Sequence, residues 1–344
     1  MARVDLTVRG GGIFGLSIAW EAARRGARVR LIEVEAIGAG ASGGLVGALA
    51  PHVPDQWNAK KAFQLQSLLM AAKWWGHVAS TSGLSPGYAA TGRLQPLANE
   101  AAVTLARARE TLSRDLWPDR VLWQVVAARG GVWEPRSPSG LMVHDTLSAR
   151  IHPRMALAAL VRAITATAGE VVLGEAADAG PVIWATGVAG LAALSPDQGA
   201  SLGSGVKGQA LSLRHAAPIA PQIFVDGLHI VPHQDGTVAI GSTSETHWHD
   251  PVATDAQLDT LLARARAALP VLADAPVTAR WAGLRPRADT RAPLLGPWPG
   301  RPGHFIANGG YKIGFGMAPK VAEVMVDLVL EHGNAIPAAF HTMR

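Results

Sequence analysis

Val4-Asp5-Leu6-Thr7-Val8 alternates apolar and polar positions with the period of a strand. After a glycine cluster the period lengthens. Ile13 to Arg25 is Ala-rich and helical in character, and Gly26 stands where a helix ends on a left-handed glycine. Ala27 to Glu33 then predicts a second strand. Strand, glycine turn, helix and strand in this order make a Rossmann-type unit, with no other domain expected ahead of it. Residues 38–48 form a second glycine-rich loop. Helices are predicted over 58–78, 100–116, 155–167, 255–268 and 319–331, and a short buried strand over 182–185. Residues 207–241 read as strands broken by Pro218, Pro221 and the Asp235-Gly236 turn, and 277–316 as strands and glycine turns. The pattern predicts a mixed α/β (α+β) protein. Its Rossmann-type dinucleotide domain is interleaved with a β-sheet-rich domain rather than followed by it.

Composition narrows the chemistry. With 344 residues, 49% apolar and 17% charged, the chain can bury a large core in two domains. The absence of cysteine excludes disulfides, thiolate metal sites, a Cys nucleophile and a cysteinyl cofactor link. No signal-peptide pattern opens the chain, and the longest uncharged apolar run, residues 181–195, is too short to span a bilayer. A cytoplasmic protein without a membrane span is expected. The net charge is +5, yet the basic residues are scattered rather than clustered, which speaks against a nucleic-acid partner. His247 and His249 flank Trp248 without a third ligand at a recognised spacing, so no metal is expected. The eleven Trp are expected to pack in the core and between domains.

Gly10-Gly11-Gly12-Ile13-Phe14-Gly15 fits G-x-G-x-x-G, and its position between a strand and a helix gives the match its force. Gly10 permits the tight turn, Gly12 lets a diphosphate approach the helix N-terminus, and Gly15 allows close helix–strand packing. Glu33, which ends the next strand before Val34, is placed to accept hydrogen bonds from the adenosine ribose. Arg9 stands where a small or apolar residue is expected, facing either an acidic group or the phosphates. NAD and FAD both fit this fingerprint.

Four further motifs separate them. They are Gly38 to Pro51 (GAGASGGLVGALAP), Val182 to Gly187 (VIWATG), Trp281 to Pro286 (WAGLRP) followed by Pro293-Leu294-Leu295-Gly296, and Asn308 to Gly316 (NGGYKIGFG). With the fingerprint they resemble the D-amino-acid oxidase superfamily of flavoproteins, in its glycine oxidase and sarcosine oxidase branch, over nearly the whole chain. The resemblance implies non-covalent FAD, held by the fingerprint and Glu33-Val34, by Ala41, Ser42, Gly43, Gly47, Ala48 and Leu49, by Ala185, Thr186 and Gly187, and by Gly283, Arg285, Gly310, Tyr311, Lys312, Ile313 and Gly314. It implies an FAD domain over 1–80, 145–205 and 282–344, and a substrate-binding domain over 81–144 and 206–281. Two departures stand out. The segment between Gly169 and Ala185 is short, keeping one strand, and His229 stands where relatives tend to carry Tyr.

The implied reaction moves a hydride from the carbon bearing the nitrogen of a small amine or amino acid to flavin N5, with O2 or an electron carrier as acceptor. Arg285 is the candidate for the substrate carboxylate, because its planar fork binds one in bidentate fashion. Lys312 and the N-terminus of the last helix are candidates for stabilising negative charge on the flavin. His229 and His233 share one face of a strand, and either could hold the substrate or take its ammonium proton. His52, behind the flavin loop, is a further candidate. Two other readings use the same motifs: a tRNA wobble-uridine side-chain oxidoreductase, or an FAD subunit that passes electrons only within an amine dehydrogenase complex. The sequence leaves a homo-oligomer open.

Overall fold

The computed structural model describes residues 4–197, 199 and 201–341. Its first sheet has six strands in the order Leu294–Pro297, His304–Asn308, Val182–Trp184, Leu6–Arg9, Val29–Glu33 and Gly169–Leu173. All neighbours are parallel except the first two, which are antiparallel. Parallel strands are buried on both faces, which accounts for the near-continuous apolar character of Leu6, Val8, Leu31, Ile32, Val182 and Ile183. The helix Ile13–Arg24 packs against Gly314–Leu330 and Pro153–Thr165, and Ala59–Ser82 packs on the latter two. Asn58 caps the long helix through Lys61 N, and Gly83 ends it in the left-handed region.

The second sheet has eight strands: Val277–Ala288, Gly203–Arg214, Thr237–Gly241, Leu228–Pro232, Gln222–Val225, Arg93–Pro96, Leu141–Asp145 and Trp123–Ala127. Gln222–Val225 and Arg93–Pro96 run parallel, and the other neighbours antiparallel. Alternation divides its faces. Leu211, Leu213, Ile230 and Ile240 point to one side and bury Leu258, Leu261 and Ala265 of the helix Gln257–Ala268. Ala210, Ala239 and Trp281 point to the other and meet Leu45 and Val46 of the second glycine loop. That face looks towards the dinucleotide domain.

The two sheets draw on the chain alternately, as the pattern predicts. The helix Ala59–Ser82 and the strands Gly203–Arg214 and Val277–Ala288 are continuous across residues 80, 205 and 281, where the sequence places segment limits. The last helix begins at Gly314, a turn earlier than expected, with Pro319 inside it. Pro319 gives up only its own N–H bond to the previous turn, and the buried Met317, Ala318, Val321 and Ala322 hold the helix through the proline. Among the described residues no helix is long and apolar enough to cross a membrane.

Candidate active site

The first turn is set by contact between backbones. Gly10 has φ +111°, and a Cβ there would lie 2.8 Å from the carbonyl carbon of Ala185. A Cβ at Gly15 would overlap the Gly10 carbonyl oxygen. Only glycine permits this approach. The helix it opens has Gly12 as N-cap and no acidic residue in its first turn. Ser42 Oγ, from the second glycine loop, accepts from Ile13 N at 3.0 Å. Glu33 is brought back to the same turn, where its carboxylate accepts Gly11 N at 2.5 Å and Glu35 N at 2.9 Å. Each carboxylate oxygen keeps a further lone pair. A helix N-terminus beside a carboxylate matches the diphosphate and ribose of a dinucleotide. Val34 is exposed just beyond.

The second loop folds as tightly. Ala41–Gly43 is a single 3-10 turn, and Ala48–Leu49 pairs with Ala149–Arg150. A Cβ at Gly43 would overlap the Gly38 carbonyl, and one at Gly47 the Ile151 carbonyl. His233, buried, binds Leu45 O through Nε2 at 3.0 Å and so ties the loop to the larger sheet.

Ala185, Thr186 and Gly187 follow the strand Val182–Trp184 and lead into the helix Gly187–Asp197. Asn308, buried at the end of a neighbouring strand, donates to Gly187 O at 2.7 Å and accepts Gly309 N at 2.8 Å. One side chain thus joins the middle and last turns. Gly310 lies against Phe14, with a Cβ 2.9 Å from the Phe14 ring, and Gly314 against Ile13. The sequence-predicted cofactor residues therefore converge from segments some 300 residues apart. Their glycine cradle fits a dinucleotide that closely approaches backbone. Asn308 was not among the sequence candidates, although an Asn directly ahead of Gly309-Gly310 is a turn signal that could have marked it.

Arg285 lies on the face of the large sheet that looks towards these turns, in register with Val206. It is 8% exposed, and its guanidinium crosses Gly208 to donate to Thr243 O at 3.2 Å. Among the described residues no carboxylate comes within ion-pair distance of it. Asp289, the acid nearest in sequence, instead accepts from Ser201 Oγ at 3.3 Å. Burial lowers the Arg285 pKa, against Tyr311 and Glu245, which raise it.

Tyr311 sits in the left-handed region at φ 42°, held by its N–H on Pro286 O at 3.1 Å. Its hydroxyl lies 3.1 Å from Ser244 Oγ, and Arg287 and Lys312 flank its ring at 6.0 and 5.6 Å. The Lys312 ammonium is held below its ordinary range by partial desolvation and by the Arg285 charge, against Tyr311.

His229 faces the same side as Arg285, with its ring 4.7 Å from Phe224. Its buried Nδ1 has no hydrogen-bond partner among the described residues. Burial pushes its pKa down to about 3, helped by Arg93, Lys312 and Arg285. The ring is neutral near pH 7, so it offers a hydrogen bond and not a proton sink. His233 shares the face but belongs to the loop contact, beside the His152 ring at 4.8 Å. His52 is held by Gln64 through both backbone and ring. Arg9 meets an acid rather than phosphate: Asp178 at 2.7 Å, with Ala176 O at 3.0 Å and the Trp184 ring at 5.2 Å. It thereby fastens the shortened segment after Leu173.

Comparison with known proteins agrees with this arrangement. The family described as FAD dependent oxidoreductase matches residues 5–328. The Putative thiamine biosynthesis oxidoreductase ThiO of Rhizobium etli is 30% identical over 342 residues, covering 96% of this chain and 98% of that protein. The Bifunctional protein ThiO/ThiG of Nostoc sp. is 28% identical over 371 residues, covering 99% of this chain and 55% of that protein. The chain thus spans about half the length of this bifunctional relative. The crystal structure of glycine oxidase from Geobacillus kaustophilus shares the fold, with TM-score 0.87 and 24% identity over 100% of this chain and 99% of that one.

Proposed function

The chain belongs to the FAD dependent oxidoreductase family, and on that premise we propose that it oxidises a small amino acid at the carbon bearing the nitrogen. The observation that carries the reading is Arg285, a buried guanidinium on the cofactor-facing side of the sheet that, among the described residues, has a carbonyl partner and no counter-carboxylate. A buried cation is costly unless it is paired, and an arriving carboxylate supplies that pair in bidentate form. FAD, when bound, supplies the hydride acceptor.

This chain's residues supply the rest. Arg285 fixes one end of the substrate. His229, neutral, lines the same face of the sheet as Arg285. Lys312 and the N-terminus of the helix Gly314–Leu330 set positive charge at the last turn, which would favour negative charge on a flavin held there. The names of the relatives, thiamine biosynthesis oxidoreductase and glycine oxidase, support glycine and its N-substituted forms as first candidates. O2 or an electron carrier takes the electrons on.

The test is anaerobic mixing of the flavin-loaded protein with glycine, sarcosine and D-amino acids, following the flavin absorbance. Bleaching that Arg285→Ala abolishes for amino acids supports the reading. Full flavin occupancy with no bleaching by any of them overturns it.

A further inference from the structure

Directly behind Arg285, on the opposite side of the sheet, lies a polar cluster that the reaction itself does not need. Strand Gly203–Arg214 is flanked over residues 207–209 by Val277–Ala288 on one side and by the segment 243–245 on the other. Lys207 and Glu245 exchange both backbone hydrogen bonds, each at 2.9 Å, and Thr243 N donates to Gln209 O at 3.2 Å. By strand alternation Gly208 and Arg285 face the cofactor side, and Lys207 and Gln209 the reverse. Glu245 and Thr243 lie opposite Lys207 and Gln209, so their side chains are on the reverse face too.

There the Glu245 carboxylate, 11% exposed, gathers three donors. Thr243 Oγ1 and Gln209 Nε2 both donate to Oε1, the latter at 3.1 Å, and the buried Lys207 ammonium lies 3.8 Å from Oε2. Thr243 Oγ1 also accepts Gln209 N at 2.8 Å, and Gln209 Oε1 accepts Asp255 N at 2.9 Å. Most of these contacts hold the 243–245 edge against the sheet, and Gln209 Oε1 adds a tie to Asp255. The Thr243 carbonyl, on that edge, accepts the hydrogen bond from the Arg285 guanidinium.

We propose that Glu245 is a positioning residue for substrate binding, pinning Thr243 from the reverse face so that its carbonyl aims the Arg285 guanidinium at the substrate carboxylate. The inference rests on the reading of Arg285 as the carboxylate clamp. The placement resolves a conflict. A buried arginine needs a nearby negative charge, but an acid in direct contact would occupy the fork that the substrate must use. Glu245 sits behind the backbone, and Lys207 and Gln209 hold it there. Its field reaches Arg285 while its oxygens do not.

The experiment is a titration of the FAD-loaded protein with acetate, read by perturbation of the flavin spectrum, in a cycle of Glu245 and Arg285 variants. Glu245→Ala is expected to weaken acetate binding about tenfold, the scale of a misaligned charge-assisted contact. Glu245→Gln keeps acceptor bonds to Thr243 and Gln209 and is expected to weaken it about threefold or less. In an Arg285→Lys background neither variant has a further effect. Amino-acid KM rises in step with the acetate constant, while kcat at saturation changes by about twofold at most.

An unchanged acetate constant in Glu245→Ala, or a loss of the same size with and without Arg285, overturns the inference and leaves the clamp standing. If Arg285→Lys itself binds acetate like the parent, the clamp reading falls and this inference with it. Should Glu245→Ala not retain flavin, Glu245→Gln carries the cycle. A weakening by Glu245→Gln that disappears with Arg285→Lys upholds the proposal, and one that persists ends it.

Discussion

The guanidinium of Arg285 occupies the space that a side chain at position 208 would need; a Cβ there would lie 2.0 Å from the guanidinium carbon and from both terminal nitrogens. Gly208 therefore has a use beyond its strand. A glycine in a strand interior marks a close approach, and here the approaching group is the proposed substrate clamp. Gly208→Ala is expected to keep flavin and fold but lower amino-acid kcat/KM about a hundredfold, the cost of displacing a clamp by an ångström or so. Steady-state kinetics beside a flavin-to-protein ratio check it.

The fingerprint glycines set the backbone of the first turn. A methyl at Gly15 would overlap the Gly10 carbonyl and open the first turn. Gly15→Ala should purify with little FAD and show affinity reduced at least about tenfold, for a turn strained by roughly 1–3 kcal/mol. Fluorescence titration of the apoprotein with FAD measures it. An apoprotein that binds FAD as tightly as the parent would refute the contact as essential.

Asn308 joins two cofactor turns through Gly187 O and Gly309 N. Asn308→Ala leaves the buried Gly309 N and the half-buried Gly187 O without this partner and should cost about 1–3 kcal/mol of stability. The melting temperature should fall and the FAD dissociation rate rise together. A fall in stability with FAD release unchanged would limit Asn308 to a packing role.

His233 sets an acid limit. Burial and the His152 charge hold its pKa down to about 4, against 6.5 ordinarily. Between those values the unfolded chain binds a proton that the folded protein refuses, so stability falls as pH drops through that window. The loss reaches on the order of 3 kcal/mol. His233→Gln should melt closer to the parent at pH 5 than at pH 7.5, since only the parent carries this penalty. Parallel curves would remove His233 from the acid limb.

His229 predicts a negative result in kinetics. A ring that protonates only near pH 3 cannot produce an ionisation near neutrality. The pH profile of kcat/KM for His229→Asn should keep the parent's acid-limb pKa while its level drops. A lost acid limb would make His229 the base and contradict its buried, cation-facing setting.

Much of this was legible in the sequence, and the boundary has a physical cause. Gly10, Gly12, Gly15 and Glu33 act within one strand–helix–strand unit, where the needs of a turn are written in consecutive residues. The cap asparagines at 58 and 99 begin helices where the pattern sets them. Pro319 misled because its local penalty is outweighed by buried neighbours. Arg9 gave no local account, since its partner Asp178 lies on a strand connection far along the chain. The Glu245 cluster was likewise invisible. Its members take meaning from the pairing of 207–209 with both 243–245 and 282–284, and register between distant strands has no local signal.

The order of strands in the smaller sheet bears on how the protein is made. Leu6–Arg9 pairs with Val182–Trp184, and that strand in turn with His304–Asn308, so the first turn waits for its neighbours through most of synthesis. A nascent chain through residue 290 already carries the fingerprint, Glu33 and the second glycine loop, but lacks the turn that Asn308 fastens. Flavin capture is therefore expected to come late, with completion of the sheet. A ligand that binds only the finished fold draws the folding equilibrium towards it. Supply of FAD during expression, more than any single contact, should set how much of this protein reaches its native state.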